Sequence, residues 1–293
     1  MDVTTFPTAA EFLAAVGPTL SRHEAEHHLV LGVAEAIAGS AAPNGDLLAT
    51  AVTDHDGLVA AAVMSGNRPV LIASDRESLA DAAPLLCDVI EQAGRTPSHA
   101  IGAVGQVEAF AAEWGRRTQR APRVAMRQCV YKLTTADPVP ATSGALRVAT
   151  MDDMDLVADW VAAFEQEALT MIVPQSPRAV AVRRVVAGEV YLWCDPEPRT
   201  MAGSARPTKR AIAVNAVYTP PEWRRRGYAT ACVAALSTLL LAQGYEFCVL
   251  YTDLANPTSN AIYSRIGYRP VRDFLMYDLK GGGELGSRVA GDG

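Results

Sequence analysis

Apolar positions in this chain follow two periods, one typical of amphipathic helices and one typical of strands. Apolar residues three and four positions apart predict helices at 8–40, 76–93, 107–117, 151–169, 179–186, 227–243 and 257–266. Short apolar runs bounded by turn residues predict strands at 47–53, 58–64, 70–73, 100–104, 124–133, 146–149, 190–194, 201–205, 211–217, 247–251 and 274–279. The chain therefore mixes helices and strands along its whole length, which predicts an α/β (α+β) fold.

The predicted elements occur in nearly the same order in the two halves of the chain. In each half, hairpin strands precede a further strand and a long helix, which ends at Gly94 or at Gly244. Residues 134–144 are rich in Thr, Pro and Ser and predict a linker. We therefore predict a degenerate duplication: a domain at 1–133, the linker, a domain at 145–280 and a flexible tail at 281–293.

Composition and charge narrow the class of protein. The 293 residues carry a formal net charge of −6, which gives no support for nucleic-acid binding. No apolar run approaches the about 20 residues of a membrane span, and the amino terminus has no basic region of the secretory kind. The five cysteines are scattered without a CxxC pair, as expected of buried, reduced thiols. We expect a cytoplasmic protein that contacts neither membrane nor nucleic acid.

The segment 211–241 carries the strongest candidate chemistry. An apolar strand breaks at Pro220 and Pro221, and three arginines follow before a small-residue segment and a long helix. The free N–H groups of a helix N-terminus, together with its dipole, favour a bound anion. This pattern predicts an anion-binding loop at the start of that helix.

Two blocks of sequence resemble the GCN5-related N-acetyltransferases. That family has Q/R-x-x-G-x-G/A after a strand, and this chain has Arg224-x-x-Gly227-x-Ala229 there. A second block, Asn256 to Tyr268, resembles the family's later helix and its glycine-aromatic ending. The resemblance covers roughly 146–279. Together with the duplicated order of elements, it implies two lobes of this kind, each a mixed, mostly antiparallel sheet flanked by helices. The amino-terminal lobe would be a degenerate copy.

The resemblance implies acetyl-CoA as acyl donor, a small-molecule primary amine as acceptor, and no metal. Tyr263 stands where the family has its general acid, which would protonate the departing CoA thiolate. Main-chain groups of Val217 and Thr219 would pair with the pantetheine arm, and one of these N–H groups would also polarise the thioester carbonyl. The implied donor-binding residues are Val217, Tyr218, Thr219, Arg224, Arg225, Arg226, Gly227, Tyr228, Ala229, Thr230, Asn256 and Asn260. We expect Asn256 to cap its helix.

The sequence departs from the family where many members carry a glutamate on the strand that leads into the loop. Here that strand, 211–217, has no acid. Candidate general bases are Glu165, Glu167 and Asp253, each of which has a simpler reading as a surface or capping acid. The acceptor pocket would lie around 164–173, where Thr170, Met171 and Ile172 suggest a partly apolar wall without naming a substrate.

The amino-terminal half lacks the donor loop, and its residue corresponding to Tyr263 is Ala111. It does contain His23-Glu24-Ala25-Glu26-His27, which matches the H-E-x-x-H pattern of zinc peptidases but lacks an evident third ligand. Two alternatives to the acyltransferase therefore remain open, a non-catalytic acyl-CoA-binding module and a zinc metallopeptidase. The sequence leaves monomer and homodimer equally possible.

Overall fold

The computed structural model describes residues 1–40, 46–66, 68–168 and 176–281. The chain divides into two compact units. Unit 1 is Met1–Gln128 with Asp273–Gly293, and unit 2 is Cys129–Arg272. Among the described residues, no helix is long and apolar enough to cross a membrane.

The elements up to residue 133 follow one another in this order: β1 Asp2–Phe6, α1 Ala9–Leu20, α2 Glu24–Ala38, β2 Leu47–Asp54, β3 Gly57–Ser65, β4 Val70–Ala73, α3 Ala83–Gln92, β5 His99–Ala103, α4 Val104–Thr118 and β6 Arg123–Leu133. In unit 1 the sheet order is β1-β2-β3-β4-β5-β12, where β12 is Arg269–Asp278. The neighbouring strands β1 and β2, β2 and β3, β3 and β4, and β5 and β12 are antiparallel, whereas β4 and β5 are parallel.

The second half of the chain repeats this order: β7 Ala145–Val148, α5 Met154–Ala168, α6 Pro177–Val186, β8 Val190–Asp195, β9 Glu197–Ala205, β10 Ala211–Tyr218, α7 Tyr228–Ala242, β11 Phe247–Asp253, α8 Pro257–Ile266 and then β12. In unit 2 the sheet order is β7-β8-β9-β10-β11-β6, with β10 and β11 parallel. The predicted duplication of element order is confirmed, as is the fold class of two helix-flanked, mostly antiparallel lobes.

Unit 2 has one apolar cluster on each side of its sheet, and β10 contributes side chains to both clusters. Ile212 and Val214 belong to the cluster that includes α7 and Tyr263. Met201 and Tyr218 belong to the cluster that includes α5 and α6. Ile212 and Val214 therefore face α7. Tyr218 would face the same way by strict alternation, but an irregularity between Asn215 and Tyr218 shifts the alternation, so Tyr218 faces α5 and α6.

The division of the chain differs from the predicted one at its last strands. We expected the strand at 274–279 to complete the second domain, but residues 273–278 of β12 belong to unit 1, where Leu275 and Leu279 are in the core. Residues 129–133 of β6 belong instead to unit 2. The apolar pattern of a strand shows that it is buried but not which neighbour it pairs with, so the sequence could not reveal this exchange.

Further expectations about the linker and single elements need correction, and others fall outside the described residues. The predicted linker is part of unit 2, where Trp193 Nε1 donates to the Ser143 carbonyl at 2.8 Å. The predicted helix 76–93 is only α3, with Pro84 in its first turn, and β1 was not predicted at all. The tail from 282 onward, together with Thr170, Met171 and Ile172, lies outside the described residues.

Candidate functional site

The parallel strands β10 and β11 separate after a short paired stretch. The pairing runs from Ala211 opposite Phe247 to Ala213 opposite Val249. Both strands are fully described, and β10 does not pair with β11 beyond Ala213. On its other edge, β10 has an irregularity between Asn215 and Tyr218, where Ala216 takes φ 48°. A non-glycine residue at positive φ is strained, and such strain is common at functional sites. The carboxyl-terminal part of β10 thus faces a gap with main-chain groups that pair with no strand.

The loop after β10 leads to a helix N-terminus that is suited to an anion. Arg225 takes φ 63° and Gly227 takes φ 86°, so left-handed residues alternate with others just before α7. Successive N–H groups in such a segment form a concave anion-binding nest. No side chain caps α7 at Gly227, which leaves the first N–H groups of the helix, including those of Ala229 and Thr230, for a ligand.

The three arginines of this loop have different roles in the structure. Arg224 Nη2 contacts both carboxylate oxygens of Glu167 at 2.7 and 2.8 Å, and its Nε donates to the Thr219 carbonyl at 2.8 Å. Arg225 and Arg226 are exposed and make no ion pair with the described residues. The Arg226 guanidinium lies 4.8 Å from the ring centre of Trp223. Arg225 and Arg226 are therefore the cations available for a phosphate.

A carboxylate that the sequence analysis missed holds the first residue of α7. Tyr228 donates its hydroxyl to Asp195 Oδ2 at 2.8 Å, and Ser143 donates to the same oxygen at 2.5 Å. The Ser143 and Tyr228 hydrogen bonds lower the pKa of Asp195. The Tyr228 hydroxyl is thus hydrogen-bonded within the protein. Of the donor-binding role predicted for Tyr228, only a contact through its main chain is left. Asp195 ends a strand and matches no motif, so nothing in the sequence marked it.

The second block of the family resemblance forms α8, and its two asparagines behave differently. Asn256 Oδ1 accepts from the Ser259 N–H at 3.0 Å, which confirms the predicted N-cap. Asn260 Nδ2 donates to the Asp253 carbonyl at 3.2 Å, while its Oδ1 is buried without a partner among the described residues. A buried acceptor without a donor is costly, so Asn260 Oδ1 is suited to a ligand N–H.

Tyr263 lies on α8 and packs edge-on against Tyr268, with ring centres 6.0 Å apart. Its side chain is 9% exposed, and burial raises its pKa to about 12. Its hydroxyl makes no hydrogen bond with the described residues. The phenol is therefore protonated at ordinary pH, as a general acid must be before it acts.

The three candidate bases have different surroundings. Glu167 pairs with Arg224, and Asp253 Oδ1 accepts from the Ala255 N–H at 2.9 Å in the turn before α8. Glu165 Oε2 is buried and has no hydrogen-bond partner among the described residues. Of the three, Glu165 alone keeps a carboxylate oxygen that is both buried and without a partner.

Two buried thiols of unit 2 are poorly suited to nucleophilic catalysis. All five cysteines are free, and burial raises the pKa values of Cys232 and Cys248, the latter to about 12. The thiolate is the reactive form of cysteine, so a raised pKa makes these residues unreactive.

The H-E-x-x-H segment does not form a three-ligand site in the described part of the chain. Helix α2 begins at Glu24, so His23 lies in the preceding 3-10 turn. His27 Nε2 lies 2.8 Å from Asp75 Oδ1 and is buried. The group of three ligating side chains found among the described residues is a different one. It consists of Asp54, which ends β2, and the exposed His55 and Asp56 that follow it. The contacts of His27 are those of a structural histidine.

Comparison with known proteins places these features in a family of folds. The pattern of the family described as FR47-like protein matches residues 199–275, which include β10, the arginine loop, α7 and α8. No curated protein sequence matches the chain at a significant level.

Solved structures match nearly the whole chain. A GCN5-related N-acetyltransferase from Sphaerobacter thermophilus is 14% identical, with TM-score 0.61 and coverage of 97% of this chain and 98% of that one. A GNAT-family acetyltransferase from Colwellia psychrerythraea is 11% identical, with TM-score 0.55 and coverage of 95% and 99%. A tandem GNAT protein from the clavulanic acid biosynthesis pathway is 13% identical, with TM-score 0.54 and coverage of 94% and 98%.

The fold and the sequence match together confirm the recognition made from the sequence. The chain has the tandem fold of the GCN5-related N-acetyltransferases, and its second half carries the FR47-like sequence pattern within that fold.

Proposed function

We propose that unit 2 is an acyl-CoA-dependent N-acyltransferase that transfers an acetyl group from acetyl-CoA to a primary amine of a small molecule. The observation that carries the proposal is the gap between β10 and β11, which leads directly into the left-handed loop and the uncapped N-terminus of α7. A thioester with a long amide-bearing arm and a pyrophosphate matches both parts of this site.

Acetyl-CoA would bind through the main-chain groups that line the gap and the loop before α7. The pyrophosphate accepts hydrogen bonds from the main chain of 227–230, with Arg225 and Arg226 as counter-charges. The amides of the pantetheine arm pair with free main-chain groups of β10 near Val217, and Asn260 Oδ1 accepts from one of them. These contacts hold the thioester at the strand irregularity.

Transfer needs one bond made, one bond broken and one proton for the leaving sulfur. The amine nitrogen attacks the thioester carbon, and a main-chain N–H near Val217 stabilises the oxyanion. The C–S bond then breaks, and Tyr263 gives its proton to the thiolate. The proton lost by the amine leaves to Glu165 or to water, because β10 itself carries no acid.

Released thiol from acetyl-CoA, measured against a panel of amines, tests this proposal. We expect turnover with at least one amine, and Tyr263→Phe should lower kcat while leaving calorimetric acetyl-CoA affinity unchanged. A protein that binds acetyl-CoA but acetylates no amine would instead be a non-catalytic acyl-CoA-binding module. A protein that binds no thioester would contradict both readings.

A further inference from the structure

Two arginines lie on the side of the unit 2 sheet that faces α5 and α6. Arg184 of α6 is 9% exposed, and its Nη2 donates to Asn215 Oδ1 at 2.7 Å and to the Ser204 carbonyl at 3.3 Å. Arg206 follows β9 at φ 51°, and its Nε is buried without a hydrogen-bond partner among the described residues. A buried guanidinium N–H without an acceptor is costly unless a ligand supplies one.

These arginines lie beside the point where the strands separate. Asn215, which holds Arg184, comes two positions after the last residue of β10 that pairs with β11. Val214 faces α7, so Asn215 faces α5 and α6. By the same alternation, Tyr251 of β11 faces this side, and it lies near enough to Arg206 to affect its pKa. Arg184 and Arg206 are thus on the face of the gap opposite α7 and Tyr263.

Positive charge exceeds negative charge in this cluster. Glu189 is the acidic side chain that faces both arginines within the described residues, and its Oε2 is 3.6 Å from Arg184 Nε. Burial is the main cause that lowers the pKa of both guanidinium groups. Two guanidinium groups and one carboxylate leave a single surplus positive charge in a poorly solvated place, which an anion would neutralise.

The backbone makes room for this arrangement at Gly203. A Cβ there would lie 2.1 Å from Arg184 Nη2 and 2.9 Å from Asn215 Oδ1. A side chain at this position would displace the Arg184 guanidinium and its hydrogen bond to Asn215. Strands disfavour glycine, so β9 itself gives no reason for a glycine at this position. The close approach of Arg184 and Asn215 gives one.

We propose that Arg184 and Arg206 bind a carboxylate of the acyl acceptor, so that the acceptor is an amine that also carries a carboxylate, as amino acids do. The inference rests on the proposed function, because it takes the gap as the place of transfer. A carboxylate matches the single surplus charge and can accept two N–H bonds from one guanidinium. With the donor entering on the α7 side, the acceptor amine would reach the thioester from the arginine side.

The experiment compares amino acids with their own carboxamides, which keep the amine and the side chain but lose the charge. We expect kcat/KM to be about tenfold or more higher for the acid than for the carboxamide in at least one pair. This is the effect expected from the loss of one charge-assisted hydrogen bond. Arg206→Gln should abolish that preference mainly through KM, and Arg206→Lys should restore part of it. Exposed Arg183 is the matched control, and Arg183→Gln should keep the preference.

Equal or better use of the carboxamides would overturn the inference, as would an unchanged preference in Arg206→Gln. If no amine is acetylated, the proposed function fails, and the arginine site is then decided by calorimetric binding of the same pairs in the presence of CoA. Binding of an acid that Arg206→Gln loses would support the site. Equal binding of acid and carboxamide, or no binding, would contradict it.

Discussion

The two units share one order of elements but differ after their fourth strand. In unit 1, β4 ends at Ala73, and Gln106 of α4 donates to the Ser74 and Arg76 carbonyls at 2.7 and 2.8 Å. A Cβ on Gly105 would lie 2.4 Å from the Glu77 carbonyl oxygen, so the chain that follows β4 is in close contact with α4. In unit 2, β10 continues for eight residues and separates from β11.

This difference shows that the fold alone does not make the site. Both units have the parallel strand pair after which a gap could open. In unit 1, a side chain of α4 donates to the main-chain carbonyls after β4. In unit 2, β10 does not pair with β11 beyond Ala213, and we propose that its main-chain groups there bind the acyl donor. The residue of unit 1 that corresponds to Tyr263 is Ala111, which is buried in the core. We therefore expect one acyl-CoA per chain, bound in unit 2.

The largest predicted effect concerns the strand exchange. A chain ending at Arg272 loses Phe274, Leu275, Met276 and Leu279, all at most 5% exposed. At about 1.5–3 kcal/mol for each buried side chain, the loss of roughly 6–12 kcal/mol rivals the whole stability of a domain, about 5–15 kcal/mol. Amide hydrogen exchange should show β4 and β5 unprotected while β10 and β11 keep their protection.

The control for that truncation is a chain ending at Gly281, which keeps β12 entire and should leave both units protected. If the shorter chain instead lost protection first in β10 and β11, the last strand would belong with unit 2 as the sequence pattern suggested.

The second effect is on catalysis. Tyr263→Phe removes the hydroxyl and keeps the ring, so kcat should fall by about 10²–10⁴, the usual contribution of a general acid. Steady-state thiol release measures it. The matched control is Tyr277→Phe, a partly buried tyrosine in unit 1, which should not change kcat. Equal activity of Tyr263→Phe and wild type would remove the residue from the mechanism.

The third effect compares the two ends of α7. Gly227 at the start and Gly244 after the end both take positive φ, of 86° and 106°, so alanine strains both by about 1–2 kcal/mol. Only Gly227→Ala should weaken acetyl-CoA binding, by roughly tenfold, because only that position shapes the nest. Calorimetry on both variants decides this. A similar loss of affinity in Gly244→Ala would show general loosening of the helix instead.

A smaller effect is expected in unit 1. Gln106→Ala removes the donor to Ser74 and Arg76 and should lower the free energy of unfolding by about 1–3 kcal/mol, the cost of leaving buried acceptors without a donor. Urea denaturation measures it. The number of bound acetyl-CoA molecules should stay at one, and a second bound molecule would mean that only this side chain keeps unit 1 closed.

The smallest effect is in the pH profile. Burial raises the pKa of Tyr263 to about 12, so the acid form persists as pH rises and is lost only near that value. The kcat profile should therefore show no descending limb below about pH 10, near the unperturbed pKa of tyrosine. A descending limb near neutral pH that Tyr263→Phe removes would contradict a buried phenol as the acid.

Local patterns in the sequence predicted most of the elements and the donor loop. Alternating and helical periods gave the shared order of the two halves, and Arg224, Gly227 and Ala229 fixed the position of the loop. Features that depend on distant partners were missed, because no local pattern encodes them. Examples are the exchange of β6 and β12, the Arg224–Glu167 ion pair, and the hydrogen bond from Tyr228 to Asp195. The cluster of Arg184 with Asn215 likewise joins segments far apart in the chain.

The central claim is that the gap of unit 2 is the single acyl-CoA site of this chain. Native mass spectrometry of the full chain with acetyl-CoA measures the stoichiometry directly, and the same titration of Gly227→Ala and Gln106→Ala assigns the site. We predict one acetyl-CoA per chain, weakened by Gly227→Ala and unaffected by Gln106→Ala. No bound acetyl-CoA, or binding that Gly227→Ala leaves intact while Gln106→Ala weakens it, would contradict the account.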